Sequence, residues 1–262
     1  MAYKNYTIRG KTDGFGCQYN AVMSGLAFCL NSTRWRCQYR YVHTPFVSVS
    51  HGWRDEKRVA ELNEFIGIPD NRLGKKIHVP KRSEDKVFND PNAFYSNEVL
   101  DTIRNYYWST PKPMPADHEI IVHVRRGDVG PDRGGDRARR FIPNVWYNTH
   151  VPDIIRRYPD HYRIAIHSEG LEKDFVSIID GWPDDFIQRT TFKIAQDDVA
   201  EQEFSLTKTF HEMVTAKVLL MSKSGLAYSS AVLNENDVFF VRSPAKGQKI
   251  PLNHWKRTKW GG

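Results

Sequence analysis

From Ile120 to Val124 the chain is apolar and β-branched apart from His123, and it runs directly into Arg125-Arg126-Gly127-Asp128. A short apolar run of this kind, preceded by prolines and closed by glycine, predicts a buried strand of a parallel sheet over residues 119–124 that opens into a loop at its carboxyl end. Residues 5–9 predict another short strand, broken by the glycines between Gly10 and Gly16. Residues 18–30 then predict a helix with Tyr19, Val22, Met23, Leu26 and Ala27 on one face. A further strand is predicted over 38–42, and helices over 55–66 and 94–108.

The connector Ser109-Thr110-Pro111-Lys112-Pro113-Met114-Pro115 cannot continue a helix. After it a second series begins: strand 119–124, helix 145–158, strand 162–167, helices 171–179 and 206–222, and a turn and helix over 224–233. Strands alternating with helices imply parallel sheets. The expectation is an α/β protein of two domains, residues 1–112 and 113–262, with no internal repeat and no low-complexity segment.

Composition adds limits. With 262 residues, 40% of them hydrophobic, and with seven Trp, twelve Tyr and fourteen Phe, the chain can build real cores and is not disordered. A net charge of +7 favours an anionic ligand, but the basic residues are scattered and nucleic acid is not indicated. The one dense run, Asp132 to Arg140, is punctuated by acids. It reads either as a solvated loop or as an aid in holding phosphate or acceptor. Cys17, Cys29 and Cys37 are odd in number and lack CxxC spacing, which supports neither a zinc site nor a disulfide framework. Residues 1–5 lead straight into the first strand, with no signal-peptide pattern and no apolar stretch of bilayer-spanning length. A soluble, cytoplasmic protein without a transmembrane segment is expected.

Three constellations carry chemistry. In Gly10 to Gln18 the glycines let backbone approach a ligand and the following helix offers its positive end, although neither the Walker pattern nor GxGxxG is present. His123-Val124-Arg125-Arg126-Gly127-Asp128 places two adjacent guanidinium forks at a strand's carboxyl end, where open α/β sheets bind ligands, and suits a diphosphate. The plain alternative for that motif is an Arg–Asp ion pair. Ser222 to Asn234 sets small hydroxylated residues before a helix, with Ser224 and Gly225 at its N-terminus, which is an anion cradle or an ordinary serine cap.

Together these segments resemble the fucosyltransferase superfamily, which includes the α1,2-, α1,6- and protein O-fucosyltransferases. Its members carry a glycine-rich first turn ending in N-Q, an H-x-R-R-x-D strand end and a late serine turn. The counterparts here are Gly14-Phe15-Gly16-Cys17-Gln18, His123 to Asp128, and Ser224 to Asn234. The segment ending in His167-Ser168-Glu169 falls where the family has a strand ending in F-S-D-D. The resemblance implies a GT-B glycosyltransferase: two Rossmann-like domains with parallel sheets facing a cleft, the N-terminal one on the acceptor side and the C-terminal one holding a nucleotide-sugar donor. It implies an inverting transfer to an oligosaccharide or glycoprotein hydroxyl without a metal or other cofactor. Arg125 would bind the donor's β-phosphate, with Arg126 orienting it or the cleft. Gly14, Phe15, Gly16, His123, Asp128, Ser168, Ser222, Ser224 and Gly225 would surround the donor, and Glu169, Glu212 and His211 would bond its base or ribose.

Cys17 stands where the family has asparagine, Gly225 replaces the second serine, and Leu226-Ala227 replaces an F-S pair. The donor expected from the resemblance is GDP-fucose, with another such as UDP-xylose as the alternative. For the general base that takes the acceptor's proton the candidates are Asp13, beside the glycine turn, and His43, after an N-terminal strand, ahead of Glu212 and Glu169. A non-catalytic nucleotide- or glycan-binding module is the alternative of another class. The small size suits a microbial or viral enzyme acting in the cytosol.

Overall fold

A computed structural model describes residues 4–31, 39–49, 55–71, 83–115, 117–170, 175–195, 206–241 and 251–258. The chain divides into two compact units, residues 1–112 with 249–254 and residues 113–248 with 255–262.

In the first unit β1 (Lys4–Tyr6) pairs in parallel with β2 (Tyr39–Tyr41), and α1 (Phe15–Leu30) connects toward β2. Helix α1 is buried on almost every side, and its fit against the strands is close: a Cβ on Gly25 would lie 2.6 Å from Ile8 Cγ2 and 2.7 Å from Tyr41 Cε2. Around it stand α2 (Glu56–Phe65), α3 (Ser83–Asn89), α4 (Pro91–Phe94) and α5 (Asn97–Trp108). Side-chain caps set three of their starts: Asp55 accepts from Arg58 N, Asp90 from Ala93 N and Ser96 from Val99 N. The Ser96 cap is why the helix predicted from residue 94 begins at Asn97, after a break at Tyr95 and Ser96. The predicted strands shorten to residues 4–6 and 39–41, residue 38 lying outside the described residues.

The second unit contains β3 (Ile120–His123), α6 (Gly135–Arg140), α7 (Asn144–Ile155), β4 (Ile164–Glu169), α8 (Asp184–Gln188), β5 (Thr190–Ala195), α9 (Leu206–Thr215), β6 (Val218–Met221), α10 (Gly225–Leu233), β7 (Asp237–Val241) and β8 (Lys256–Thr258). The strands form one six-stranded sheet in the order β5-β4-β3-β6-β7-β8, parallel throughout. One face packs Val122, Ile166, Leu220 and Phe239 against Trp146, Val151, Ile155 and Trp182. The other meets α9 and α10. Strands covered on both faces have no polar alternation, which is why β3 and β6 are buried at every position.

The helix predicted over 206–222 is two elements. Helix α9 stops at Thr215 because the Asn234 side chain donates to the carbonyls of Met213 at 2.9 Å and Ala216 at 3.0 Å, closing its C-terminal end. Val218–Met221 then enters the sheet as β6. Of the helix predicted over 171–179, residues 171–174 lie outside the described residues and Val176–Ile178 form a 3-10 turn. Among the described residues no helix is long and apolar enough to cross a membrane.

Candidate functional site

Numbered within the second unit, the sheet order is 3-2-1-4-5-6. From β3 the chain builds outward through β4 and β5, then returns to the other side of β3 with β6. The loops after β3 and β6 therefore leave neighbouring strand ends in opposite directions, and the crevice they open is where such sheets bind nucleotides. His123 to Asp128 occupies the first loop and Ser222 to Gly225 the second. A 2.7 Å hydrogen bond between His123 Nδ1 and Ser222 Oγ ties the two strand ends together.

The two arginines have separate fates. Arg125 directs Nε and Nη2 to Asp128, at 3.2 Å and 2.9 Å to Oδ1 and 2.8 Å to Oδ2, while its Nη1 has no partner among the described residues. Gly127 makes this turn possible: its φ of +74° suits glycine, and a Cβ there would lie 3.1 Å from Glu169 Cγ. Arg126 is buried. It donates from Nη1 to Arg125 O at 2.8 Å and from Nη2 to Ile142 O at 2.9 Å and to Asn144 Oδ1, with its guanidinium over the Phe141 ring at 4.4 Å. So placed, the Arg126 guanidinium holds the segment before α7 against the turn after β3.

Of the other residues expected around a donor, Ser224 caps α10 by accepting from Leu226 N at 3.2 Å, with Gly225 as the first helical residue. Ser168 donates to Val124 O at 2.6 Å, and Glu169 is exposed beside Gly127. Glu212 departs from expectation. Its carboxylate is buried, 2.9 Å from His167 Nε2 and 2.9 Å from Lys193 Nζ, and so is committed to the packing of α9 on the sheet instead of facing a base or ribose. His211 is buried as well.

In the first unit the glycine turn is held by Gln18, which donates from Nε2 to Asp13 O and Ser48 O at 2.8 Å each and accepts from Val47 N at 3.3 Å. Phe15, expected near the donor, belongs to the core against Tyr19 and Phe46. Gly16 is also buried, leaving Gly14 and Asp13 toward solvent. His43 is 1% exposed, its ring packed near Tyr41 and Phe46 on a cavity of about 440 Å³ that Tyr39, Arg40 and Tyr106 also line. Of the two leading base candidates, Asp13 is the exposed one and His43 is not presented to solvent.

Burial, with the nearby charges of His167 and Arg125, lowers the His123 pKa from 6.5 to about 3, so the folded protein carries it neutral. The unfolded chain takes up that proton near pH 6.5, and stability is therefore lost as pH falls from 6.5 toward 3. Burial opposes the Glu212 charge, but its bonds to His167 and Lys193 prevail and lower its pKa from 4.5 to about 2, adding a loss between those values. We expect thermal melts to show stability falling between pH 7 and pH 4 by on the order of 2–3 kcal/mol. His123→Asn should flatten the upper part of that slope. An unchanged slope in the variant would mean that His123 is not the responsible group.

Lys223 lies between the two serines of the late turn and belongs to none of the motif positions expected to form the site. Burial lowers its pKa to about 8, and its Nζ donates to Arg139 O at 3.0 Å. Among the described residues no group of three or more His, Cys, Asp or Glu is placed to hold a metal ion. Set against family models and curated proteins, the chain matches none.

Proposed function

We propose that this protein is an inverting glycosyltransferase that takes a sugar from a nucleotide donor, GDP-fucose before UDP-xylose, to a glycan hydroxyl without a metal. One observation carries the reading: Arg125, with an Nη1 that has no partner among the described residues, follows β3 at the order reversal of a parallel sheet, and the neighbouring strand β6 leads into a serine-capped helix N-terminus. In this reading the units form a GT-B pair, with the second holding the donor. The acceptor oxygen attacks the anomeric carbon as the nucleoside diphosphate departs; Arg125 meets the charge that gathers on the leaving phosphate, and Asp13 takes the acceptor proton.

A non-catalytic binding module is the second reading, favoured by the burial of His43, which leaves the acceptor side with a single exposed candidate base. Calorimetric binding of GDP-fucose and UDP-xylose, followed by product analysis with mixed oligosaccharide acceptors, separates the cases. Binding with transfer is expected. Binding of a nucleotide sugar without release of diphosphate would favour the module, and no binding of either donor would end both readings.

A further inference from the structure

Within the first unit α1, β2, α5 and the segment after α2 surround a cavity of about 440 Å³. That size falls among small-molecule sites, which run from roughly 300 to 1,000 Å³. The fold fixes its walls. Gly25 lets the Tyr41 ring lie on α1, because a Cβ there would stand 2.7 Å from Tyr41 Cε2. Asn71 ties the end of β2 to the segment after α2, donating to Tyr41 O at 3.3 Å and accepting from His43 N at 3.2 Å. On α5, Thr102 and Tyr106 are four residues apart, share a face and both line the space. Leu30, the last residue of α1, lines it while 47% exposed, so the cavity opens to solvent there.

We propose that this cavity binds a pyranose ring of the acceptor glycan; the assignment of the ring to an acceptor rests on the function proposed above. A pyranose carries apolar C–H faces inside a rim of hydroxyls, so its site needs ring surface and hydrogen-bonding groups together. Tyr39, Tyr41 and Tyr106 line the cavity, and a tyrosine supplies both, an aromatic body and a phenolic tip. The Thr102 hydroxyl already donates to Glu98 O at 2.8 Å and therefore meets a sugar hydroxyl as an acceptor. Charge narrows the choice further. Among the described residues that line the cavity there is no Asp or Glu to receive a cationic ligand, and Arg40, which is exposed, is the one Arg or Lys. A lone guanidinium at the surface is a poor match for a nucleoside diphosphate, whereas a sugar requires no counter-charge. His43 lines the same space, so a side chain closed to bulk solvent still meets a ligand held there. Walls set in place before the ligand arrives also keep the ordering cost of binding low.

The test is ligand-observed NMR of the methyl glycosides of galactose, glucose, mannose and N-acetylglucosamine with the full chain and two variants. Leu30→Trp fills the mouth of the cavity, and Tyr106→Ala removes a ring from its wall. GDP-fucose and UDP-xylose are titrated into the same three proteins by calorimetry. At least one glycoside is expected to bind the parent and to lose about tenfold or more in affinity in each variant, while donor affinity stays within about twofold. Thr102→Trp, which fills the space from α5, is read in place of Tyr106→Ala if the latter does not fold. Glycoside affinity unchanged in the folded variants overturns the assignment, and so does a loss that reaches the donors equally. A parent that binds a donor but none of the glycosides also overturns it and leaves the proposed function standing. Glycoside binding that the variants lose, in a protein that binds neither donor, would keep the cavity as a sugar site and overturn the proposed function instead.

Discussion

Arg125→Ala is expected to lower transfer from the nucleotide sugar by on the order of a hundredfold or more while leaving the protein folded. In a dissociative transfer the leaving phosphate gains charge as the sugar bond breaks, and a donor already in place meets that charge without reorganisation. In the proposed mechanism Asp128 supplies the preorganisation: it holds Nε and Nη2 of Arg125, while Nη1 has no partner among the described residues. Truncation removes that donor and strands a carboxylate that is 32% exposed and can be solvated. The cost to stability is accordingly small, about 1 kcal/mol or less. Arg125→Lys should recover little of the rate, since a point charge cannot keep the two-nitrogen grip on Asp128 and also present an ordered third donor. Steady-state turnover together with thermal melts measures both quantities. Turnover within about threefold of the parent would remove Arg125 from the mechanism.

The contrast between well-read and misread elements has a physical basis. Ile120, Ile121 and Val122 announced a buried strand because β-branched residues between prolines and a glycine turn leave few alternatives, and the strand lies at the centre of the sheet. Val218 to Met221, equally central, contains one β-branched residue and directly follows an amphipathic helix, so the apolar pattern reads through as helix. What ends the helix is Asn234, a residue distant in sequence whose amide satisfies the last carbonyls, and no local pattern records that. The edge strand β8 is three residues long and carries Lys256 and Arg257, too short and too polar to show a strand period.

Within the site, residue types were legible but their partners were not. His123 and Ser222 are far apart in the chain and become hydrogen-bonded only because β3 and β6 are neighbours. The Glu212 carboxylate is placed by the register that sets His167 beside Lys193 on β4 and β5, which likewise depends on strand order. Lys223 lies between two serines after an apolar run, but that its ammonium reaches Arg139 O on α6 depends on how the chain folds back.

Adjacent to Arg125, the substitution Arg126→Ala is expected to act on the fold and not on the chemistry. Its guanidinium bonds two main-chain carbonyls, Arg125 O and Ile142 O, and the Asn144 side chain, and it stacks on Phe141 with Tyr147 farther off at 5.8 Å. Asn144 in turn donates to Ser177 Oγ at 2.7 Å, so the same group steadies the start of α7 and the turn that packs beside it. Alanine leaves the buried Ile142 carbonyl and two part-buried acceptors without this donor, at roughly 1–3 kcal/mol for a buried group, and forfeits the ring contact as well. A loss of about 3 kcal/mol or more is expected in urea unfolding, and Arg126→Lys should restore at most part of it because one ammonium cannot reproduce a planar fork. Below the unfolding transition, each folded Arg126→Ala molecule should retain nucleotide affinity within about threefold of the parent. Unchanged stability combined with lost affinity would reverse the assignment and return Arg126 to the ligand; two neighbouring arginines of one motif then differ in the property each mutation destroys, the rate for Arg125 and the fold for Arg126.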